Sequence, residues 1–276
     1  MGYQRFSPPD ELRHVIDHVW LVDSGALAEV RREILIPNGR PGLAVALGDA
    51  GTRHDPVTRG EWPNVASVFG NMTRPQVLAQ GGTSIYAGVE FLPWGLAAFG
   101  LPGLVDEVLP MREWVGADLA GLVGELRAEE FGAGRAERLA GFLAGRLVGF
   151  DVQPVVVEAV RAIDALRGQV AVADVVRRCG TSYSTLYRVF RRSLGIGPKQ
   201  YAEIVRYFHF VGGLLDGPAD AAATLSALHG YYDQAHAARD FKRYTGVSAT
   251  SFRAVQHGIA ALMHGRSVQD GPPADG

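Results

Sequence analysis

Apolar and alternating runs dominate residues 14–92, and runs of this length are typical of β-strands. The first three runs are HVIDHVWLVD (14–23), REILI (32–36) and GLAVALG (42–48). PNGRPG, between the last two, predicts a turn. QVLAQ (76–80) and SIYAGVEFL (84–92) flank Gly81 and Gly82, an arrangement that predicts a β-hairpin. The sequence therefore predicts a small β-rich domain at the N-terminus.

From about residue 93 the apolar residues take the spacing of helices, as Leu139, Phe142 and Leu143 illustrate. The predicted helical segments are LPWGLAAFG (92–100), ADLAGLVGELRAEEF (117–131), ERLAGFLAGRLVGF (137–150) and QPVVVEAVRAIDALRG (153–168). These helices are expected to follow the β-rich domain and to lead into the C-terminal block. The last residues, SVQDGPPADG (267–276), hold almost nothing to bury and are expected to be flexible.

Residues 172–194 predict two helices joined by a short turn. The first helix has an apolar face made of Val172, Val175, Val176 and Cys179. Gly180 is expected to end this helix, and Thr181 or Ser182 to cap the next one. Gly195 is expected to close the second helix, and Pro198 suits the first turn of a third.

The second of these helices is amphipathic. Its inner face is expected to hold Leu186, Val189, Phe190 and Leu194, and its outer face Ser184, Tyr187, Arg188 and Arg191. A helix, a short glycine turn and a helix with one apolar and one basic face together predict a helix-turn-helix unit.

A twelve-residue phrase occurs twice, as FRRSLGIGPKQY (190–201) and FKRYTGVSATSF (241–252), at a spacing of 51 residues. TLSALHG (224–230) and a helix over 233–244, capped by Asp233, predict a second helix-turn-helix unit around the second copy. Residues 199–215 are apolar enough to form a connecting helix of roughly 25 Å.

These features point to a nucleic acid as the partner. A major groove of roughly 12 Å admits one helix, and an arginine can bond two acceptors of a guanine. Arg188 and Arg239, also 51 residues apart, are the candidate base readers. Arg192 and Lys199 are expected to hold phosphates instead, and His236 is expected either to contact DNA or to be a surface residue. Two such helices could enter successive major-groove segments roughly 34 Å apart.

The charge is unevenly distributed along the chain, so the net charge hides a basic segment. The 276 residues carry a net charge of −2, but residues 170–257 hold 11 Lys and Arg against 6 Asp and Glu, a local charge of +5. Such a basic block on an acidic chain favours nucleic-acid binding. One cysteine, no signal pattern and no uninterrupted apolar span together predict a cytoplasmic protein without membrane segments.

STLYRVFRRSLGIGPKQY (184–201) and the DQAH…RDFKRYTGVSATSF stretch (233–252) resemble the two signature segments of AraC/XylS-type transcriptional regulators. ILIPNGRPGLAVALGD, GVEFLPWGLAAFGLP and LPMREWVG resemble the cupin-like sensor half of a subgroup of these regulators. The fold class implied is α+β, a β-rich cupin-like domain plus helices followed by an all-α double helix-turn-helix domain. The implied boundaries are 1–115 for the sensor, 116–168 for a helical linker, 169–256 for the DNA-binding domain and 257–276 for a flexible tail.

The resemblance implies a sequence-specific transcription factor that binds double-stranded DNA, contacts RNA polymerase and needs no cofactor. A small-molecule effector and a homodimer stay open, as does the choice between activator and repressor. The residues expected at the DNA are Ser184, Tyr187, Arg188, Arg191, Arg192, Lys199, Gln234, Ala235, His236, Arg239, Lys242 and Arg243. Ala237, where a large apolar residue is usual, and Gly212–Gly213 in the connecting helix are departures that predict weaker anchoring of the second unit.

Two other functions are compatible with the same residues. The β-rich domain could be a cupin-like enzyme tethered by the C-terminal module, or the helix-turn-helix units could serve only protein contacts. No nucleophile–base grouping or phosphate-binding loop supports the first, so the sequence predicts no enzyme. His14 and His18 would bind a metal only on a helix, and none is predicted there. Cys179 is expected in the core. Three aromatic residues could line a ligand pocket but are core by default: Trp20, Phe91 and Trp94.

Overall fold

The computed structural model describes residues 2–149, 151–216, 234–247 and 252, without the side chains of 216, 234–236 and 240. The fold class is α+β, as the sequence predicts, with an antiparallel sheet followed by helices. The strands are β1 (Gly2–Phe6), β2 (Ile16–Leu35), β3 (Gly42–Ala46), β4 (Gly51–His54), β5 (Glu61–Asn64), β6 (Ala66–Phe69), β7 (Gln76–Phe91) and β8 (Val108–Pro110). Their order is β1-β2-β7-β3-β6-β8, while β4 pairs with both β5 and β7.

The centre of the sheet is a long ribbon formed by β2 and β7, which pair from Ile16 opposite Phe91 to Leu35 opposite Gln76. The hairpin predicted at Gly81 and Gly82 is therefore wrong. Both runs that flank the two glycines pair with β2, so the chain continues through them with a register irregularity instead of turning back. The strands predicted at 14–23 and 32–36 likewise belong to one strand. The turn predicted at PNGRPG is confirmed between β2 and β3.

Two longer helices, α2 (Asp118–Ala128) and α3 (Ala133–Ala144), pack behind the sheet after the short α1 (Met111–Val115). Leu122, Leu126, Leu139 and Leu143 are buried against the apolar side of the strands. The helical spacing read from the sequence is thus confirmed for these segments. LPWGLAAFG differs, because only a 3-10 turn forms there, over Gly95–Phe99.

The C-terminal helices share a second core. They are α4 (Pro154–Ala165), α5 (Val172–Arg178), α6 (Tyr183–Leu194), α7 (Pro198–Asp216) and α8 (Gln234–Thr245). Val156, Val160 and Ile163 place one face of α4 in this core, together with buried residues of α5 to α8. The domain boundaries expected at 115, 168 and 256 stay predictions. The predicted tail and the predicted 224–230 helix lie outside the described residues.

The sheet and the C-terminal helices are held together by buried polar contacts as well as by apolar packing. The Arg40 guanidinium, in the β2–β3 loop, donates to Asp164 of α4 at 2.7 Å and to the Tyr201 hydroxyl of α7 at 3.0 Å. Asn71 donates through Nδ2 to the carbonyl of Leu194, the last residue of α6, at 2.9 Å. Among the described residues, no helix has the length and apolar character needed to cross a membrane.

Candidate nucleic-acid interface

The first predicted helix-turn-helix unit is present as α5, a short turn and α6. Gly180 turns the chain with φ of 58°, a backbone conformation that L-residues with a side chain rarely adopt. Ser182 then caps α6, because its Oγ accepts a hydrogen bond from the Thr185 amide at 3.1 Å. At the other end Gly195 adopts φ of 76° and its amide donates to the Arg191 carbonyl at 3.1 Å. The turn, the cap and the closing glycine therefore lie where the sequence predicts them.

The two faces of α6 also separate as predicted. Leu186, Phe190 and Leu194 are fully buried in the core, and Val189 is partly buried beside them. The opposite side of the helix is exposed and polar, and it carries the predicted residues Ser184, Tyr187, Arg188, Arg191 and Arg192. A helix held by one face and open along the other can enter a groove without losing its packing.

The exposed basic groups differ in how they are held. Arg191 donates through Nη1 to the carbonyl of Gly195 and is thereby drawn toward the end of its own helix. Lys199, in the first turn of α7, lies 3.9 Å from the Glu203 carboxylate. Within the described part of the chain, Arg188 and Arg192 form no ion pair with an acid of the protein. Their charge is therefore available to an anionic partner such as phosphate.

Sequence reasoning missed one side chain of this face. Tyr183, in the first turn of α6, is 51% exposed and stacks on Tyr187 with ring centroids 6.1 Å apart and planes 28° apart. The spacing of four residues between the two tyrosines is the signal that could have found it. Two exposed aromatic rings on a soluble helix cost solvation free energy, which favours their use at an interface.

The helix α8, which belongs to the second predicted unit, repeats this arrangement. Ala237, Phe241 and Tyr244 are buried. Arg239, Lys242 and Arg243 are exposed, and the Arg243 guanidinium lies 5.1 Å from the Tyr244 ring centroid. Gln234, Ala235 and His236 lie in the first turn of α8, but their side chains are outside the described residues. The predicted Asp233 cap is outside them too.

The described residues of the two similar segments, 190–201 and 241–252, share the same helix end. Phe190 packs edge-on against Tyr201 at 6.1 Å, and Phe241 packs edge-on against Phe252 at 5.4 Å. The closing glycines have φ of 76° and 77°. Both helices therefore end in the same left-handed turn at a glycine. In each, the phenylalanine five residues before that glycine packs against an aromatic ring eleven residues further along the chain.

The connecting helix α7 is longer than predicted, at 19 residues or about 28 Å. It runs without a break through Gly212 and Gly213. Tyr207, on its inner side, lies against both Phe241 and Tyr244 of α8, with centroids 6.1 Å and 4.7 Å apart. α7 therefore packs directly against the second unit as well as following the first.

The remaining candidate residues have structural roles. Cys179 is partly rather than fully buried at the end of α5, and burial raises the pKa of its thiol. Phe91 is buried in the core, and Trp94 donates through its indole nitrogen to the His14 carbonyl at 3.0 Å. Trp20 differs, since it lines a cavity inside the sheet.

His18 belongs to a polar cluster that the sequence did not reveal, because Glu90 lies opposite it on β7. Its Nδ1 lies 2.7 Å from Asp17 Oδ2, and the three side chains together could hold a metal ion. Burial raises the pKa of Glu90, whereas the charges of Arg40 and Arg5 lower it. The raised pKa disfavours the ionised carboxylate that a metal ion needs as a ligand.

Comparison with known proteins agrees with this geometry. Residues 175–254 match a helix-turn-helix domain family, and residues 4–102 match a domain of unknown function, DUF6597. The Lactose operon transcription activator of Staphylococcus xylosus is 29% identical over 84 residues, which are 30% of this chain and 30% of that protein. The crystal structure of ToxT from Vibrio cholerae O395 superposes with a TM-score of 0.51 and 10% identity, covering 87% of this chain and 99% of that one. The last likeness shows a shared fold.

Proposed function

We propose that this chain, whose C-terminal part is a helix-turn-helix domain of the AraC/XylS type, regulates transcription by binding a specific double-stranded DNA sequence. The observation that carries the proposal is the outer face of α6, where Arg188 is exposed and unpaired among the described residues, directly opposite the buried Leu186 and Phe190. Arg239 is exposed at the equivalent position of α8.

In this function α6 and α8 enter successive major-groove segments of one duplex face. Arg188 and Arg239 read bases, while Arg192, Lys199, Lys242 and Arg243 hold phosphates and fix the register. Tyr183 and Tyr187 add apolar contacts near the start of α6. α7, at about 28 Å, is comparable with the roughly 34 Å between such segments, which supports engagement of both helices.

The sheet domain is proposed to regulate this binding through a small-molecule effector. The support is a cavity inside the sheet that reaches Phe208 of α7, so that a bound molecule would touch the helix joining the two reading units. Contacts with RNA polymerase, a homodimer and a cytoplasmic location belong to the same proposal, and the name of the curated relative makes activation the first direction to test. No catalytic step is assigned to the chain.

The test is binding of the purified full chain to genomic DNA fragments, followed by titration of the recovered sequence. Arg188→Ala should weaken binding by about 1–3 kcal/mol and relax one base position. Arg192→Ala should instead weaken binding to all sequences and reduce the salt dependence by about one phosphate contact. Arg32→Ala, an exposed arginine of β2, is the control and should leave binding unchanged.

Two outcomes would contradict the proposal. One is binding to every tested duplex with an affinity that is independent of the salt concentration. The other is undiminished binding when Arg188 and Arg239 are both reversed to glutamate, which would leave these helices to protein contacts alone.

A further inference from the structure

The cavity inside the sheet has a mostly apolar lining that also includes three charged residues, Arg40, Arg53 and Glu90. It lies between β2, β3, β7 and α7 and spans about 840 Å³ of space, including the solvent at its open mouth. Trp20, Phe69 and Leu78 line its apolar walls, and Phe208 of α7 contributes to the lining from outside the sheet. Apolar walls with a few convergent polar groups are typical of small-molecule sites.

Arg53 is the buried residue among these three. It lies on β4 with only 6% of its surface exposed, and its guanidinium stacks 3.5 Å from the Phe69 ring centroid. Nη1 donates to Gln76 Oε1 at 2.5 Å, but Nε has no hydrogen-bond partner, and no acid of the described residues pairs with the charge. Burial lowers the pKa of Arg53 to about 9, so the group stays protonated at neutral pH. A buried charge without a counter-ion is costly for a protein to keep.

Two further donors lie in the same lining. Gln80 is buried, and its Oε1 accepts from the Ser84 hydroxyl, which leaves Nε2 as a buried donor without a partner. The Tyr86 hydroxyl accepts from the Gly51 amide at 3.2 Å, so its proton remains to be donated. Buried donors of this kind are normally satisfied in native proteins, and a ligand would satisfy these.

We infer that the cavity binds a small organic acid, whose carboxylate accepts hydrogen bonds from Arg53 and Gln80 and whose apolar body extends along Trp20 toward Phe208. The carboxylate supplies the counter-ion that Arg53 lacks and the acceptor that Gln80 lacks. A planar guanidinium matches a carboxylate in shape as well as in charge.

The other polar groups of the lining fix the place of the acid group. Glu90 accepts a hydrogen bond from Asn38 Nδ2 at 2.9 Å, so this donor of the lining is already engaged. Arg40, in the same loop, is already neutralised by Asp164. The acid group therefore belongs at Arg53, and the body of the ligand belongs near the loop and α7.

The role of the acid as an effector rests on the proposed function, whereas the binding of the acid to the cavity does not. Binding is therefore measured on the full chain without DNA, by calorimetry, with matched probes that differ only in charge. Suitable pairs are benzoate with benzamide, phenylacetate with phenylacetamide, and octanoate with octanamide. At least one acid should bind ten-fold or more tightly than its amide. Equal binding within every pair, or no binding by any acid at millimolar concentration, would overturn the inference.

The variants identify the group responsible. Arg53→Met should abolish the preference for the acid over its amide while leaving amide binding unchanged, and Arg32→Met, an exposed arginine of the same sheet, should keep it. Because the replacement removes an unpaired buried charge, Arg53→Met without ligand should melt at the same or a higher temperature than the native chain. A preference that survives Arg53→Met would exclude this site.

A second pair of variants covers the case in which Arg53→Met does not fold. Gln80→Met should weaken acid binding several-fold and amide binding less, while Phe208→Ala should weaken both equally, because Phe208 contacts only the apolar body. The reverse result, with Gln80→Met silent, would count against the inference. DNA binding is scored separately, so that a chain that binds acid but no DNA refutes the proposed function and not the site.

Discussion

The two helix-turn-helix units have the same backbone and different surroundings. Gly195 and Gly246 share a left-handed conformation, yet a Cβ on Gly195 would lie 2.4 Å from Val105 and 2.5 Å from the Gly103 carbonyl, whereas the nearest atom to one on Gly246 is Pro75 Cγ at 3.9 Å. The repeated segment encodes the helix end, and among the described residues the end of the first unit lies closer to the N-terminal half than the end of the second. Repetition in sequence therefore predicts the shared fold and not the tertiary role of each copy.

The buried cores of the two units also differ, and the second unit again has the smaller contact. Leu186 and Ala237 occupy equivalent buried positions, 51 residues apart, but the second side chain fills far less space. The smaller contact agrees with the expected weaker anchoring of the second unit, which stays a prediction.

The largest effect should come from the phenylalanines beneath the closing turns. Phe190→Ala and Phe241→Ala each remove a fully enclosed ring, and about 3–5 kcal/mol of unfolding free energy should be lost for Phe190. We expect a smaller loss for Phe241, whose core already contains Ala237. Chemical denaturation with helix content as the signal measures both. Equal losses would show that the two cores are equally well packed.

Substitution of the closing glycines should give the clearest difference in stability loss between the two units. Gly195→Ala combines a left-handed alanine with a clash against backbone, and about 2–4 kcal/mol should be lost. Gly246→Ala carries only the conformational part, about 1–2 kcal/mol. Thermal melting of the two variants tests this difference, and Gly121→Ala, at an open position on α2, is a control that should not destabilise the chain.

DNA affinity should show a smaller asymmetry. Arg239→Ala should cost about 1 kcal/mol, at the lower end of the range expected for Arg188→Ala, because the helix that presents Arg239 is held by a smaller buried contact. Titration of the recovered DNA sequence measures both variants. A greater loss at Arg239 would make the second unit the principal reader.

The smallest effect concerns the helix between the units. A Cβ on Gly212 would meet no atom within 4 Å, so Gly212→Ala should raise the unfolding free energy by about 0.5–1 kcal/mol through helix propensity alone. Melting temperature reports this gain. A loss instead would mean that α7 needs to bend at this position.

Local signals predicted the fold of the first helix-turn-helix unit well. The faces of α6, its serine cap and its glycine end all depend on residues within a few positions of one another, and the structure has each where the pattern indicates. The side chains that contact DNA stay predictions, since exposure alone does not identify a ligand.

Contacts between distant strands were not predictable in this way. The pairing of β7 with β2 overrides the hairpin signal of Gly81 and Gly82, and the position of Glu90 beside His18 depends on that pairing. In the sequence, Arg53 is one polar residue within a short segment. Its charge is unusual only because the sheet buries it without a paired acid among the described residues.

The hydrogen bond from Asn71 to the Leu194 carbonyl has a consequence for engineering. A hybrid protein that joined residues 1–150 of this chain to the C-terminal helices of another protein would place Asn71 against a different helix end. Unless that end offered a carbonyl at the same place, the Asn71 amide would keep only its 3.3 Å hydrogen bond to the Pro93 carbonyl, and the contact between the two halves would be weaker.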